Sequence, residues 1–241
     1  MKALAKKLKD CRVLIFIDLE GTQFTHEAIE IGAWKVYLKD DLTVKKIFRP
    51  FKCYVKAKHA IGPIVTEMTG IDEPRLKEEG VSFRLAQQGL RKYAGRDWFK
   101  SVFVAYGNQD IVMLKSSAEN NLDCFDEDVR YISHHYIDFA SFLSSYVKDD
   151  KGNVLSLSHA CQMLNAPMVG RSHDALDDAR NLISLYSAFL EQKSLIEERY
   201  LKILSTGASL SPSLRRAVSC LASGKDVSAE DFQRWVKEEL Q

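Results

Sequence analysis

The chain has 241 residues, of which 46% are hydrophobic and 28% charged, enough to bury the core of an α/β domain with an appendage. The net charge of +1 excludes no class of partner, because a local basic patch can lie within a balanced total. Five scattered cysteines without Cys-x-x-Cys spacing argue against structural zinc and predict reduced thiols in a cytoplasmic protein, and the lack of an apolar run of about 18 residues predicts no membrane contact.

The first predicted elements are three strands. Residues 13–17 are five consecutive apolar residues, which is typical of a strand buried on both faces. The segments 28–38 and 42–55 also have strand character, and the turn between them is short enough for a hairpin. The sequence therefore predicts three antiparallel neighbours.

The middle of the chain alternates helices with two more strands. A helix at 61–70 is predicted with Pro63 in its first turn and Gly70 as its C-cap, and an amphipathic helix at 81–93. The second apolar strand is 102–106, after which Asn108 is expected to cap a helix. The remaining predicted elements are a weaker strand at 131–137 and helices at 139–147, 155–164 and 174–191.

This order of elements predicts a mixed five-stranded sheet flanked by helices, because a strict βαβ repeat would give a wholly parallel sheet. From about residue 192 the chain changes to charged helices without strands, and Ser228 with Asp231 has the spacing of a capping box. We therefore divide the chain into a domain at 10–192 and a helical C-terminal appendage at 193–241.

Two acids interrupt the end of the first strand. Asp18 and Glu20 are two residues apart, so in a strand their carboxylates point to the same side. No nearby Lys or Arg relieves their repulsion. A bound cation would do so, and a solvated strand end is the alternative explanation of the pair.

Two further acids are placed by the same geometry. Asp110 follows the second apolar strand, and ligands in open α/β sheets collect at strand ends, although an acid in the first turn of a helix also complements its dipole. Asp178 shares a helix face with Leu182 and Leu185, whereas Asp177 is rotated by about 100° and can be a solvated acid. Asp178 is therefore expected to face the core, where an unpaired carboxylate is costly.

Asp18, Glu20, Asp110 and Asp178 together supply four negative charges, which two divalent cations would neutralise. Carboxylate oxygens suit Mg²⁺ or Mn²⁺, and a pair of such ions clamps the attacking and leaving oxygens of a phosphoryl displacement. His173 lies at the entry to the last long helix, and a histidine can accept a proton from an attacking water near neutral pH.

These motifs resemble those of the DEDDh 3′-to-5′ exonucleases, a DnaQ-like family with an RNase H-like fold. The motifs are Asp-Leu-Glu-Gly-Thr at 18–22, Tyr-Gly-Asn-Gln-Asp at 106–110 and a histidine five residues before the last acid at 173–178. The segments 26–32 and 68–71 agree as well. The combination is most similar to the Eri-type branch, whose members trim RNA 3′ ends.

The resemblance implies a role for each residue. Asp18, Glu20 and Asp178 would hold one divalent ion, Asp18 would bridge to a second, Asp110 would act through water, and His173 would be the general base. The terminal nucleotide of a nucleic acid with a free 3′ end would lie against a set of five substrate-binding residues: Gly21, Thr22, Phe24, Met68 and Thr69. Phe24 would stack on a base, although an aromatic residue of a surface loop or of the core is an equally good interpretation.

The leading hypothesis is thus a 3′-to-5′ exonuclease that uses Mg²⁺ or Mn²⁺ and releases 5′-mononucleotides from single strands. The branch favours RNA, while side-chain identity alone leaves DNA open. The alternatives are a nuclease-like adaptor that binds nucleic acid or protein without turnover, and an RNase H-like endonuclease. The presence of all four acids and the histidine argues against the adaptor, and the histidine spacing argues against the endonuclease.

Overall fold

In the computed structural model, which describes residues 2–206 and 210–240, the apolar run at 13–17 lies within a long central strand. Strand β1 (Val13–Gly21) pairs antiparallel with β2 (Ala28–Leu38) on one side and parallel with β5 (Ser101–Ala105) on the other. The side chains of residues 14–17 are completely buried, because helices cover both faces of the sheet. The predicted strand buried on both faces is confirmed.

The sheet is mixed, as predicted, but it has six strands instead of five. The predicted strand at 42–55 is divided into β3 (Val44–Ile47) and β4 (Phe51–Tyr54), which both pair antiparallel with β2. Pro50 lies in the interruption, and a proline has no N–H to donate to a strand ladder. The last strand, β6 (Tyr136–Asp138), pairs parallel with β5.

Helices surround this sheet on both faces. On one face, Ile15 and Ile17 pack against apolar side chains of the fourth, fifth and sixth helices, and on the other face Phe16 contacts Tyr186 of the ninth helix at 5.5 Å between ring centroids. A 3₁₀ helix, Gly95–Lys100, leads into β5. The α-helices of the domain are α1 (Lys2–Leu8), α2 (Pro63–Thr69), α3 (Glu73–Glu79), α4 (Phe83–Ala94), α5 (Gln109–Glu119), α6 (Asp126–His134), α7 (Phe139–Ser144), α8 (Leu157–Met163) and α9 (Ala175–Glu191).

The largest secondary-structure error of the sequence prediction concerns 131–137, which was expected to be a strand. Helix α6 occupies most of this segment, and only Tyr136–Asp138 is strand. The helix is favoured because its first turn has three acidic residues, which complement the helix dipole, and because Val129 and Ile132 are buried three residues apart. Helix α3 and the 3₁₀ helix were not predicted.

Several predicted helix ends are confirmed. Pro63 begins α2, and Gly70 ends it in the left-handed conformation with a φ of 70°. Ser228 and Asp231 form the expected capping box of the last helix. Asn108 precedes α5 as expected, but its side chain makes no capping hydrogen bond.

The chain divides into two compact units. The first extends to Ala140 and resumes over Ser156–Leu190, and the second contains Ser141–Leu155 and the chain from Glu191 onward, with helices α10 (Lys193–Thr206), α11 (Pro212–Ala222) and α12 (Ala229–Glu239). The division at residue 192 did not anticipate that 141–155 groups with the C-terminal helices. Within the described residues, no helix has the length and apolar character needed to cross a membrane.

Helix α9 approaches β2 closely at Gly32. A Cβ atom added to Gly32 would lie 2.3 Å from the backbone C of Ala175 and the backbone N of Leu176. Gly32 pairs with Asp18 across the β1–β2 ladder, so the close approach brings the start of α9 beside the acidic end of β1. The glycine therefore sets the distance between two elements of the candidate site.

We expect Gly32→Ala to lower the free energy of unfolding by about 1–3 kcal/mol and to reduce activity, because the backbone of α9 must move away from β2. Chemical denaturation of the purified variant measures the stability. Gly89→Ala is the control, since its added methyl meets only the movable ring of Phe51. Equal stabilities of the Gly32 variant and the wild-type protein would contradict this account of the approach.

Candidate active site

The carboxylates of Asp18 and Glu20 project together from the end of β1. Both have the strand parity of Phe16, whose ring contacts α9, so they point to the face of the sheet that α9 covers. Both side chains are partly buried. Burial and then the charges of Asp110, Glu20 and Asp178 raise the pKa of Asp18 well above its ordinary value.

Glu20 has a strongly perturbed pKa as well. Burial, followed by the negative charges of Asp178 and Glu30, raises its pKa to about 8. Glu30 lies directly opposite Glu20 in the β1–β2 ladder, where two like charges repel. The ionised form of Glu20 is therefore unfavourable in this site unless a cation compensates it.

Glu30 itself has two protein partners, and the sequence did not indicate this role. Its side chain is buried, with Oε1 2.9 Å from the Lys52 ammonium and Oε2 accepting a 2.9 Å hydrogen bond from the backbone N–H of Ala175. Lys52 also pairs with Asp174 at 2.5 Å. Although burial disfavours its charge, the hydrogen bonds with these two acids raise the pKa of Lys52. This network fixes the first residues of α9 against β2 and β4.

The start of α9 brings His173 and Asp178 to Glu20. One ligand atom from each of these three side chains lies within 4.8 Å of the other two, which makes them a candidate metal site among the described residues. The backbone N–H of His173 donates to Asp178 Oδ2 at 2.9 Å. His173 has a φ of 62°, an uncommon conformation for a residue with a side chain, and this hydrogen bond stabilises it.

Asp178 faces the site, as its helix position predicted, but Asp177 is not a freely solvated acid. Asp177 is half-buried and accepts a 2.9 Å hydrogen bond from the backbone N–H of Arg171. Arg171 in turn donates from its guanidinium to the carbonyl of Met68 at 2.8 Å. Asp177 therefore holds the loop that carries His173. The helical wheel placed Asp177 away from the core, but it could not reveal this local backbone contact.

Asp110 enters from the opposite side of the strand end. It is buried, and its Oδ1 accepts a 2.8 Å hydrogen bond from the backbone N–H of Leu19, between Asp18 and Glu20. Burial raises its pKa to about 7, although the hydrogen bond from Leu19 opposes the shift. Burial likewise raises the pKa of Asp178, offset in part by the His173 amide. The structure therefore gathers all four predicted acids at one end of β1.

This donor set fits hard divalent cations. Burial raises the pKa of all four carboxylates, and the charges of other acids of the set add to this for Asp18 and Glu20. No protein cation pairs with Asp18 or Glu20 among the described residues. Oxygen ligands and a surplus of negative charge are what Mg²⁺ and Mn²⁺ require. An ion in the site would remove the electrostatic cost of ionising all four acids.

The five predicted substrate residues differ in their exposure. Phe24 is 75% exposed and Met68 is 43% exposed, so both can contact a ligand. Thr22 and Thr69 are buried, and their hydroxyl groups make internal hydrogen bonds, with Glu27 N–H for Thr22 and with the Val65 carbonyl for Thr69. Gly21 is buried against Met113. Met68, unlike the buried Thr69, can therefore contact a nucleotide through its side chain.

Comparisons with known proteins agree with this arrangement. The exonuclease family RNase_T matches residues 15–186, whereas no curated protein matches the chain. The nuclease domain of 3′hExo, a DEDDh family member bound to rAMP, has a TM-score of 0.60 at 17% identity, covering 76% of this chain and 94% of that one.

Two other solved structures share the fold. Cell-death related nuclease 4 (CRN-4) has a TM-score of 0.60 at 19% identity, covering 76% of this chain and 64% of its own. E. coli exonuclease I in complex with a dA16 oligonucleotide has a TM-score of 0.57 at 16% identity, covering 80% of this chain but only 44% of that protein. These likenesses show the common fold.

The matched segment begins within β1 and ends within α9, so it contains the four acids and His173. It covers well over half of the 241 residues. The expected mixed sheet of the RNase H-like type and the resemblance to the DEDDh exonucleases are both confirmed. The chain belongs to the RNase_T exonuclease family.

Proposed function

We propose that this exonuclease hydrolyses the 3′-terminal phosphodiester of single-stranded nucleic acid, with RNA favoured over DNA, and releases 5′-mononucleotides. The observation that carries the proposal is the convergence of Asp18, Glu20, Asp110 and Asp178 at the end of β1, with His173 beside them. Four carboxylates gathered at one strand end repel one another, and clustered groups with perturbed pKa values are typical of functional sites.

The carboxylates would bind divalent metal, Mg²⁺ or Mn²⁺, as two ions per site. Glu20 and Asp178, which lie closest to His173, would hold one ion together with Asp18. The charges of both Glu20 and Asp110 act on Asp18. A carboxylate that is near both of these acids suits a ligand shared by the two ions. When bound, the metal supplies charge stabilisation for the attacking and leaving oxygens of an in-line displacement.

His173 would accept the proton of the attacking water. Its side chain is exposed at the edge of the acid cluster, and the hydrogen bond from its N–H to Asp178 fixes its backbone. The water oxygen forms a bond to phosphorus, and the bond between phosphorus and the 3′ oxygen of the penultimate nucleotide breaks. The products are a 5′-mononucleotide and a strand with a new 3′-hydroxyl group.

Exposed apolar side chains near the acids suit unpaired bases. Phe24 follows β1, Met68 ends α2, and the Arg171 side chain joins Met68 to the loop that carries His173. Base stacking on such side chains is tolerant of sequence and needs a strand whose bases are free. The proposed preference for RNA is supported by the rAMP bound to 3′hExo and by a 3′-exonuclease that recognises a histone mRNA stem-loop, while E. coli exonuclease I binds dA16.

We expect His173→Gln to reduce the cleavage rate of a 5′-labelled RNA strand by about 10²–10⁴-fold, because the proton acceptor is lost. His134→Gln, at an exposed position on α6, is the matched control and should cleave like the wild-type protein. A gel of the products in Mg²⁺, Mn²⁺ and chelator measures the rates, with the matched DNA strand in parallel.

Two results of this assay would contradict the proposal. Cleavage of a strand with a blocked 3′ end would indicate an endonuclease. A wild-type protein that binds the strand but leaves it intact with either metal would indicate an adaptor. Faster cleavage of DNA than of RNA would reverse the proposed substrate preference alone.

A further inference from the structure

Two segments outside the candidate site are strongly basic. Residues 44–52 and 84–100 together contain nine basic residues and a single acid, in a chain whose net charge is only +1. Eight of the nine are exposed, but Lys52 pairs with Glu30 and Asp174 and Arg84 donates to the carbonyl of Asp123. The other six define what we call the basic surface: Lys45, Lys46, Arg49, Lys92, Arg96 and Lys100.

The two segments are joined to each other, so the surface is continuous. The hydroxyl group of Tyr93 accepts a hydrogen bond from the backbone N–H of Lys35 at 2.6 Å and donates to the carbonyl of Arg49 at 2.8 Å. Lys35 also pairs with Asp97 at 3.2 Å, which connects β2 to the 3₁₀ helix. These contacts hold the end of α4 and the 3₁₀ helix against the edge of the sheet.

The cations of the basic surface have no anionic partner within the part of the chain that the structure describes. Asp97, the one acid of the two segments, is already bound by Lys35 and by the hydroxyl group of Tyr37. None of the six cations forms an ion pair with any residue in 2–206 or 210–240. A concentration of unpaired cations attracts a polyanion.

The surface extends away from the acid cluster along the edge of the sheet. Gly32 pairs both with Asp18 and with Lys52, so β4 begins level with the acids. Farther along β2, Tyr37 pairs both with Val13 and with Lys46. Asp18 and Val13 are five residues apart in β1, which corresponds to about 17 Å. The basic surface therefore lies toward the Val13 end of the sheet, and α4 and the 3₁₀ helix pack on the face opposite α9. A strand bound at the acid cluster reaches these cations by passing around the edge of the sheet.

We propose that the basic surface binds the phosphate backbone of the nucleic-acid strand on the 5′ side of the nucleotide that is removed. This inference rests on the proposed function and adds a second contact with the same strand, outside the acid cluster. Phe99, which is 68% exposed between Arg96 and Lys100 in the chain, offers an aromatic face to a base of that strand. Strand binding then depends on length, because a short strand reaches only the acid cluster.

The test uses the triple variant Lys46→Gln, Arg49→Gln and Arg96→Gln in the full chain. Binding of labelled single strands of about 4 and about 16 nucleotides is measured in chelator at several salt concentrations. We expect the variant to bind the long strand at least tenfold more weakly and to lower the salt slope by about 2, since each lost phosphate contact removes about 0.7. Its cleavage of the short strand in Mg²⁺ should equal that of the wild-type protein.

The matched control is Lys77→Gln, Lys151→Gln and Lys225→Gln, which removes three exposed charges from other parts of the chain. An unchanged affinity and salt slope in the first variant, or equal losses in both variants, would overturn the proposal. The binding assay needs no cleavage. Failure of the basic surface is thus distinguishable from failure of the exonuclease proposal, which would show as intact strands with the wild-type protein.

Discussion

Replacing Asp18 with Asn is expected to reduce strand cleavage by at least about 10³-fold and, in the same protein, to stabilise the metal-free fold. The amide keeps the size of the side chain but loses the charge that Asp110, Glu20 and Asp178 repel. The cleavage rate therefore decreases while the stability of the metal-free protein increases. A merely structural residue would show losses in both, so the pair of measurements identifies a site acid.

Thermal unfolding in chelator and in Mn²⁺, together with a cleavage assay, checks this prediction. Each kcal/mol gained in the metal-free state should raise Tm by about 2–4 °C for a chain of this size. The stabilisation by Mn²⁺ should decrease in the variant, because a ligand has been removed. Glu78→Gln on α3 is the control, an exposed acid outside the cluster. An Asp18 variant that cleaves like the wild-type protein would overturn the assignment of the site.

The metal-free protein is expected to lose stability as pH rises from about 5 to about 8. The pKa of Glu20 is raised from 4.5 to about 8 and that of Asp110 from 3.8 to about 7, so between these values the folded state binds more protons than the unfolded state. The stability that these two groups contribute is therefore greatest below pH 4 and falls until both are ionised in the folded state. The expected loss is on the order of 2–4 kcal/mol, allowing for solvent screening of this partly buried site.

Divalent metal should abolish this decline, because it stabilises the ionised carboxylates that are unfavourable without it. Urea unfolding at several pH values, in chelator and in Mn²⁺, measures both curves. Glu20→Gln should flatten the upper part of the chelator curve, near pH 7–8, whereas Glu78→Gln should leave it unchanged. Parallel pH curves with and without metal would show that the cluster does not bind the ion.

The geometry of the acid cluster follows from local rules that sequence carries well. Strand alternation placed Asp18 and Glu20 on one side, and helix periodicity selected Asp178 rather than Asp177 as the residue that faces the sheet. Asp110 could be placed because parallel strands end at one edge of a sheet. These three inferences use only spacing within an element or the end of an element.

Contacts between segments that are distant in sequence could not be predicted from these local rules. Lys52 and Glu30 are 22 residues apart in sequence, and neither strand pattern indicates that they meet Asp174 and the amide of Ala175. The split of 42–55 into two strands and the helical start of the 131–137 segment likewise depend on what packs there. Tertiary context overrides local propensity at such positions. The prediction that Asp177 is a solvated acid was wrong for the same reason, because its partner is the backbone of the loop at Arg171.

The Lys52 network has a consequence for the dynamics of the protein. Strand β4 is only four residues long and lies at the edge of the sheet, and short edge elements open more easily than central ones. Yet Lys52 in β4 holds both Glu30 and the residue that precedes α9. Local opening of this edge would free the start of α9 and withdraw Asp178 from β1. A short edge strand of the sheet and the acid cluster thus belong to one cooperative unit.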